Sequence, residues 1–416
     1  MKTKVSSHAA RDHDHLQNHA HRHNTGFWLI AACFLTAMAF STVPTPLYPI
    51  YQHRDGFSTF MITVVFATYV VGVVASLILV GPVSDWGGRK RILIIALAVE
   101  AVAAILFLAW PTLPGLIVAR LITGLGVGMI TATATAYLQE LHTVSRPTAG
   151  RSRFEIVSTA ANIGGLGVGP LIAGVLAQYV TAPLRTPYIV FAVLLLLAVV
   201  AVAVSPETVE KLPQRPAWRP QSISADHGDR AGFLAAAVGA FGAFSVFGLF
   251  TSLAPGFVAG TLHHPSRALA GLIVFVVFGV AALTQSATPR MSLQARLSAG
   301  LIGEAVGLIV LAAGMYEANL ASFLVGGALA CAGAGVLFKS SVGSVAAAAS
   351  PAERGAALAG LFLVSYLGLI VSAVGLGIAT QYTTATTAML WFTAALLAVL
   401  AAAALLSRTG HRNAVA

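Results

Sequence analysis

The sequence GPVSDWGGRKR, at Gly81–Arg91, separates two long apolar stretches and contains one acid and three bases. The stretch before it reads STFMITVVFATYVVGVVASLILV, and the stretch after it reads ILIIALAVEAVAAILFLAW. Each is long enough to cross about 30 Å of hydrocarbon as a helix. The sequence therefore predicts a membrane hairpin whose charged loop lies on one face of the bilayer.

The composition of the whole chain is that of a membrane protein. Hydrophobic residues make up 57% of the 416 residues and charged residues only 9%, whereas soluble domains contain about 25% charged residues. The apolar residues form continuous runs and do not alternate, which predicts spanning helices and not a barrel. We expect an all-α protein with twelve transmembrane spans. Numbered 1 to 12, the predicted spans are 27–48, 59–82, 92–110, 114–137, 155–178, 187–205, 231–257, 266–287, 297–315, 318–342, 357–380 and 385–407.

The two halves of the chain resemble each other at a constant offset of 204 residues. LAVEAV at Leu97–Val102 matches LIGEAV at Leu301–Val306, and Pro147 matches Pro351. The repeat predicts two pseudo-symmetric six-helix bundles joined by a polar, Pro-rich loop. The predicted division is a His-rich tail (1–26), a first bundle (27–205), a central loop (206–230), a second bundle (231–407) and a short C-terminal tail (408–416).

The distribution of positive charge predicts the orientation. If the N-terminus is inside, twenty of the 24 Lys and Arg residues lie at the cytoplasmic side, and only Arg54, Arg185 and Arg267 lie outside. This bias predicts a multi-pass protein of the bacterial inner membrane with both termini in the cytoplasm. The formal charge of +10 is then explained by topology and by contact with anionic lipid, so no nucleic-acid partner is expected.

The charged loop also carries a family motif. It matches Gly-x-x-x-Asp-Arg-x-Gly-Arg-Arg and so resembles the loop between the second and third helices of the major facilitator superfamily of transporters, although Trp86 stands where the family usually has a base. The resemblance implies two six-helix halves with a substrate site between them. The matching residues are Gly81, Asp85, Gly88, Arg89 and Lys90.

Two further motifs resemble the drug/proton antiporter branch of this family. In span 4, ARLITGLGVGM places Arg120 on one helix face with two glycines and resembles a motif whose Arg is associated with proton coupling. The alternative is an Arg that only locks helices together. In span 5, GLGVGPLIAG resembles a glycine-rich antiporter motif that favours export and predicts a bent, thin helix between the halves. Its matching residues are Gly165, Gly169, Pro170 and Gly174.

Three charged residues of the hairpin, one acid and two bases, suggest a gate. Asp85, Arg89 and Lys90 can pair with charges or with the ends of adjacent helices, and such contacts would break when the cytoplasmic side opens. The alternative is a topology signal with no gating role.

Glu100 and Glu304 are acids in the middle of spans 3 and 9. An ionised, unpaired carboxylate is costly there, so each is expected to be neutral, paired or in contact with water. They are candidate proton carriers, and Glu100 is the nearest candidate partner of Arg120. The alternative is a pair of structural carboxyls inherited through duplication.

The family resemblance places the substrate cavity among spans 1, 4, 7 and 10, with contributions from spans 5 and 11. The side chains there are aromatic or carry hydroxyl and amide groups, which suits a small amphipathic organic molecule. No cofactor or metal is expected, and we expect a monomer whose coupling ion is the proton. The candidate cavity residues are Thr42, Tyr48, Thr123, Asn162, Phe244, Phe338 and Tyr366.

The N-terminal tail contains six His and two Asp between His8 and His23. Such tracts can bind metal ions, but the ligands have no fixed spacing, and a disordered tail is expected. A metal exporter and a sensor or assembly partner that transports nothing remain alternative functions. Deletion of the tail tests the first and vesicle transport the second. The sequence contains no nucleophile–base pair and no phosphate loop, so an enzyme is not expected.

Overall fold

The computed structural model describes residues 2–80, 83–209, 220–223, 230–288, 290–350 and 353–415, except the side chains of 2–19, 84–85 and 408–415. Within these ranges the backbone is almost entirely helical and contains no β-strand. Twelve of the described helices are long and apolar enough to cross a membrane. The predicted all-α membrane fold with twelve spans is therefore confirmed. The spanning helices are α1 (Lys2–Thr42), α2 (Thr59–Val80), α3 (Arg89–Ala109), α4 (Leu113–Ser145), α5 (Ser152–Tyr179), α6 (Thr186–Val204), α7 (Arg230–Ser252), α8 (Arg267–Ala287), α9 (Leu293–Tyr316), α10 (Leu320–Ala348), α11 (Arg354–Tyr382) and α12 (Ala385–Val415).

The first helix differs from the prediction at both ends. It begins at Lys2, so the expectation of a disordered tail is wrong for the described backbone. The segment before Gly26 contains neither Gly nor Pro, so nothing in it breaks a helix. The helix ends at Thr42 because prolines follow, and the chain continues as a short helix, Tyr48–Asp55.

The last helix continues from its predicted end at residue 407 to Val415, and two internal helices also extend well past the predicted spans. Spans 4 and 10 were expected to end at residues 137 and 342, but α4 continues to Ser145 and α10 to Ala348. Hydropathy marks where the hydrocarbon ends, whereas the helix continues for as long as the backbone hydrogen bonds and the residue propensities allow. Both extensions leave the apolar region on the same side of the bundle.

The connections between the spanning helices lie on two faces. Because the described spans are even in number, both chain ends lie on one face, which we call the terminal face. It also carries the connections α2–α3, α4–α5, α6–α7, α8–α9 and α10–α11. The remaining connections lie on the opposite face. The sequence predicts that the terminal face is cytoplasmic.

The two halves meet along two equivalent seams. Helix α5 packs against α8, and α2 packs against α11. When the second half is superposed on the first by a shift of six helices, α5 corresponds to α11 and α2 to α8. The two seams are therefore related by the same pseudo-symmetry as the sequence repeat. Separate buried apolar clusters, one mainly in α1–α6 and one in α7–α12, form the cores of the halves.

Candidate transport site

Helix α5 contacts α1 through two of its predicted glycines. A Cβ added to Gly165 would lie 2.8 Å from the Cβ of Met38, and one added to Gly169 would collide with the carbonyl of Ala39. Only residues without a side chain allow the two backbones to approach this closely. These glycines therefore set the packing of α5 inside the first half.

The other face of α5 meets the second half at backbone contact. A Cβ on Gly174 would collide with the carbonyl of Arg267, and a Cβ on Gly271 would collide with the carbonyl of Pro170. Gly174 and Pro170 were singled out by the sequence motif, whereas their partner Gly271 was not. The seam is thus tightest in the part of α5 and α8 that is nearer the opposite face.

The irregular part of α5 lies before the proline. Residues Ala160–Gly164 form a π-helical turn, and a regular α-helix then runs through Pro170 from Gly165 to Tyr179. The candidate cavity residue Asn162 lies in this turn and is partly buried. Single π-turns occur frequently at functional sites, because they release backbone groups from the regular ladder.

Three predicted cavity residues form one aromatic cluster. The ring of Phe244 on α7 lies 4.8 Å from the ring of Phe338 on α10 and 5.4 Å from the ring of Tyr366 on α11. Two further rings extend the cluster: the ring centre of Phe247 lies 6.0 Å from that of Phe244, and the ring centre of Phe362 lies 6.0 Å from that of Phe338. The structure therefore brings together side chains from three helices, of which the outermost, Phe244 and Tyr366, lie 122 residues apart in sequence.

A cavity of about 260 Å³ opens beside this cluster toward the terminal face. It lies between the halves, where α2 and α4 of the first half face α11 of the second. Tyr366 is the predicted cavity residue that lines it, together with Phe362, Arg89 and Gln221, which the sequence analysis did not select for the cavity. The family resemblance implies only a contribution from span 11, whereas α11 supplies much of this wall.

The remaining predicted cavity residues are buried in the first half. The hydroxyls of Thr42 and Thr123 donate to the carbonyls of Ala39 and Ala119, at 3.1 and 2.8 Å, within their own helices. The hydroxyl of Tyr48 is buried and has no hydrogen-bond partner among the described residues. None of the three lines the terminal-face cavity.

Arg120 holds the end of α1. Its Nη1 donates to the carbonyl of Ser41 at 2.5 Å, and its guanidinium lies 4.3 Å from the centre of the Tyr69 ring. Ser41 is in the last turn of α1, where the carbonyl groups have no partner within the helix. A cation at a helix C-terminus is favourable, and an unsatisfied carbonyl in hydrocarbon is costly. Arg120 thus caps a helix that ends inside the bundle.

The expected contact between Arg120 and Glu100 is absent from the described structure. Glu100 packs instead against Gly126, and neither of its carboxyl oxygens has a hydrogen-bond partner among the described residues. Gly126 is six positions beyond Arg120 in α4, a rotation of about 600°, so the two residues point to different faces of the helix. Nearness in sequence therefore did not predict the partner of Arg120, because it says nothing about the rotation of each helix.

Glu304 has the same environment in the second half. It is fully buried and contacts glycines of α7 and α10, and its carboxyl oxygens also lack partners in the described part of the chain. An ionised carboxylate without a partner is costly inside the bundle, so the neutral acid is favoured at both Glu100 and Glu304.

The charged hairpin is anchored by the start of the central loop. Gly88 has a φ of 93°, which favours glycine, and helix α3 begins at the next residue. The carboxylate of Glu207 accepts hydrogen bonds from the backbone N–H groups of Arg89 and Lys90, each at 3.2 Å. The Nζ of Lys90 donates to the carbonyl of Ser205 at 3.3 Å. Glu207 therefore caps α3 from the Pro-Glu-Thr segment that follows α6.

Arg89 pairs with a second acid. Its Nε and Nη2 both donate to Oε1 of Glu140, at 3.2 and 3.0 Å, and Thr208 donates to the other oxygen of this carboxylate. Glu140 lies in the extension of α4, and the sequence analysis selected neither it nor Glu207. Gly81 lies outside the described residues, as does the side chain of Asp85. The described contacts join α3, α4 and the end of α6, all within the first half.

Polar contacts join the halves directly at both faces, including hydrogen bonds from Arg267 of α8 to Gln178 and Ala177 of α5. At the terminal face, Nζ of Lys339 lies 3.8 Å from the carboxylate of Glu155. At the other end, the hydroxyl of Thr45 donates to the carbonyl of Thr251 at 3.1 Å, where α1 and its counterpart α7 both end.

The alternative of a tail-bound metal rests mainly on side chains before Ala20, which lie outside the described residues. Among the side chains that the structure does describe, no group of three or more His, Cys, Asp or Glu residues is placed to hold a metal ion. The two cysteines, Cys33 and Cys331, are buried and free.

Comparison with known proteins identifies the family. Residues 29–298 match the family model described as Major Facilitator Superfamily, whereas no curated protein matches significantly. A crystal structure of the human organic anion transporter MFSD10 (TETRAN) has a TM-score of 0.66 at 16% identity, covering 91% of this chain and 98% of that chain. A bacterial homolog to the human lysosomal transporter Spinster, in an inward-facing and unoccupied conformation, has a TM-score of 0.69 at 13% identity, covering 94% and 97%. With the family model matching well over half of its length, the chain belongs to the Major Facilitator Superfamily and is a multi-pass membrane transporter.

Proposed function

We propose that this transporter is a proton-coupled exporter of a small amphipathic organic molecule. The observation that carries this proposal is the aromatic cluster of Phe244, Phe338 and Tyr366, of which Tyr366 lines a cavity between the halves. Sites for small organic molecules are mostly apolar and contain a few polar groups that fix orientation. Tyr366 and Arg89, which carry a hydroxyl and a guanidinium, are polar residues of the cavity wall.

Alternating access is supported by the asymmetry of the interface. The α5–α8 seam is at backbone contact in the part nearer the opposite face, whereas the cavity beside the aromatic cluster lies toward the terminal face. A second cavity at the opposite face is lined by none of the three residues of that cluster. Transport then requires that the seam opens while the terminal side closes. In this proposal the Arg89–Glu140 and Glu207 contacts hold the ends of α3, α4 and α6 together as one rigid body that moves during gating.

Proton coupling is supported by the two carboxyls inside the membrane. Glu100 and Glu304 are fully buried and lack described hydrogen-bond partners. A carboxyl that is neutral in one conformation can release its proton when a conformational change admits water. We assign the carrier role to these acids, while Arg120 contacts a carbonyl and a ring instead of a carboxylate.

A vesicle experiment tests the proposed function. We expect everted membrane vesicles containing the protein to accumulate at least one of three aromatic probes when respiration is energised: ethidium, 2-naphthoate or N-phenyl-1-naphthylamine. A protonophore should abolish the accumulation. Tyr366→Ala should raise the KM of the transported probe about three- to tenfold, because an aromatic contact in the cavity wall is lost. Trp391→Ala removes a lipid-exposed aromatic side chain and serves as the matched control.

Two results would contradict this proposal. If none of the three probes accumulates, an amphipathic organic cargo is excluded, and a sensor or assembly role becomes the better explanation. If accumulation continues in the presence of the protonophore, the coupling to protons is wrong even though the transporter function stands.

The orientation is a separate prediction. We expect both termini in the cytoplasm of a bacterial cell, because the terminal face carries most of the Lys and Arg residues. A C-terminal alkaline phosphatase fusion, which is active only in the periplasm, should be silent, and a fusion in the connection at residues 317–319 should be active. The reverse pattern would invert the terminal and opposite faces and turn the proposed exporter into an importer.

A further inference from the structure

A second cavity, of about 650 Å³, opens at the opposite face between the two halves. Its wall contains Arg54 from the short helix after α1, Arg185 from the α5–α6 connection and Arg267 from the first turn of α8. His53 also lines it. We call this cavity the basic vestibule. All of its lining residues are described, and none of them is Asp or Glu.

These arginines are the three that depart from the charge bias of the chain. They lie 131 and 82 residues apart in sequence, yet the fold brings all three to one cavity. Topology does not require Lys or Arg on this face, since the positive-inside bias favours their absence. Their convergence is therefore a property of the vestibule and not of membrane insertion.

Two of them also occupy unfavourable helix positions. Arg185 directly precedes α6, and Arg267 is the first residue of α8, so both cations lie at the positive end of a helix dipole. Helix N-termini favour anions, and both of these termini border the vestibule. Helix stability alone would select Asp or Glu here, whereas an anion in the vestibule would be held by the helix ends and the arginines together.

The three guanidinium groups differ in how many hydrogen bonds they already make within the protein. Arg54 forms two hydrogen bonds with Asp55, at 2.7 and 2.6 Å, and Nη1 of Arg267 donates to the carbonyl of Ala177 at 2.8 Å. The exposed side chain of Arg185 makes no hydrogen bond or ion pair with the described residues. Its five N–H donors are thus available to a ligand.

We propose that the basic vestibule binds the carboxylate or a similar oxyanion of a small organic acid, with Arg185 as its principal contact. The proposal refines the substrate class and rests on the transporter function proposed above. A cleft lined by one sign of charge raises the local concentration of the opposite charge, and a guanidinium binds a carboxylate through two parallel hydrogen bonds. The apolar remainder of the wall, including Pro46, Pro183 and Pro255, would contact the organic part.

Equilibrium binding of a matched pair of probes tests this inference without any transport step. The protein is placed in nanodiscs of phosphatidylcholine, and the binding of 2-naphthoate is compared with that of 2-naphthamide, which has the same shape and no charge. We expect naphthoate to bind at least about tenfold more tightly, with an affinity that falls as salt is added. Arg185→Gln should remove this preference, a loss of about tenfold expected for one charge-assisted contact, and Arg185→Lys should retain part of it.

The control is Arg290→Gln, which removes an exposed Arg from the terminal face and should leave naphthoate binding unchanged. Equal binding of the two probes, or equal losses in the Arg185 and Arg290 variants, would overturn the inference. Nanodiscs that also contain phosphatidylglycerol separate the free acid from a lipid headgroup. Abolition of naphthoate binding there would assign the vestibule to lipid and overturn the organic-acid assignment. If binding passes these tests while the vesicle experiment shows no transport, the vestibule stands and the proposed export fails.

Discussion

Gly271→Ala is expected to reduce transport at least about tenfold. The added methyl group would occupy the position of the Pro170 carbonyl, so the two halves cannot pack at the α5–α8 seam as they do here. Overpacking of this kind costs about 1–3 kcal/mol, and each 1.4 kcal/mol changes a conformational equilibrium about tenfold. The cost falls on the conformation in which the seam is closed, so the cycle is biased toward the other conformation.

The matched control is Gly279→Ala in the same helix, where the methyl group would meet no atom within 4 Å. We expect this variant to transport like the wild type at equal expression. The measurement is accumulation of the transported probe in vesicles, together with melting of the purified protein. Similar transport by both variants would show that the seam does not limit the cycle. Aggregation of Gly271→Ala alone would assign the contact to assembly of the halves.

Arg120→Ala is expected to lower thermal stability and to abolish both uptake driven by a pH gradient and substrate exchange without a gradient. The substitution leaves the Ser41 carbonyl at the end of α1 without its charged donor, at a cost of about 1.5–3 kcal/mol. It also removes the contact of the guanidinium with the Tyr69 ring. Arg120→Lys should be impaired less, because an ammonium keeps the charge but cannot match the planar guanidinium on the ring.

Proteoliposomes distinguish a helix cap from a coupling residue at Arg120. Uptake driven by an imposed pH gradient is measured beside substrate exchange without a gradient, and a cap predicts equal loss of both. Selective loss of the driven mode, with exchange and melting unchanged, would return Arg120 to the coupling role that its family motif implies.

The sequence determined the membrane architecture because the bilayer is a demanding solvent. Hydrocarbon accepts only helices with satisfied backbones, so apolar runs located all twelve spans to within a few residues at most ends. The same reasoning failed for the tail before Gly26, because polarity excludes a residue from the membrane but not from a helix. It failed in the same way at the extended ends of α4 and α10.

Local motifs also predicted residues at the seam, because the glycines that allow backbone contact recur at regular spacing within one helix. They did not find the partners. Gly271 opposite Pro170, Glu140 beside Arg89 and the Ser41 carbonyl at Arg120 depend on how each helix is rotated and which helix lies next to it.

The three arginines of the basic vestibule show the same limit of the sequence. The order of the spans and the count of Lys and Arg in each loop predicted that Arg54, Arg185 and Arg267 share one face, because insertion responds to the basic residues of each loop. Only the tertiary structure placed all three at one cavity, because the packing of α5 against α8 brings connections from both halves side by side. Hydropathy and charge act on each segment separately and so are legible in the sequence, whereas a site between two halves exists only once the halves have packed.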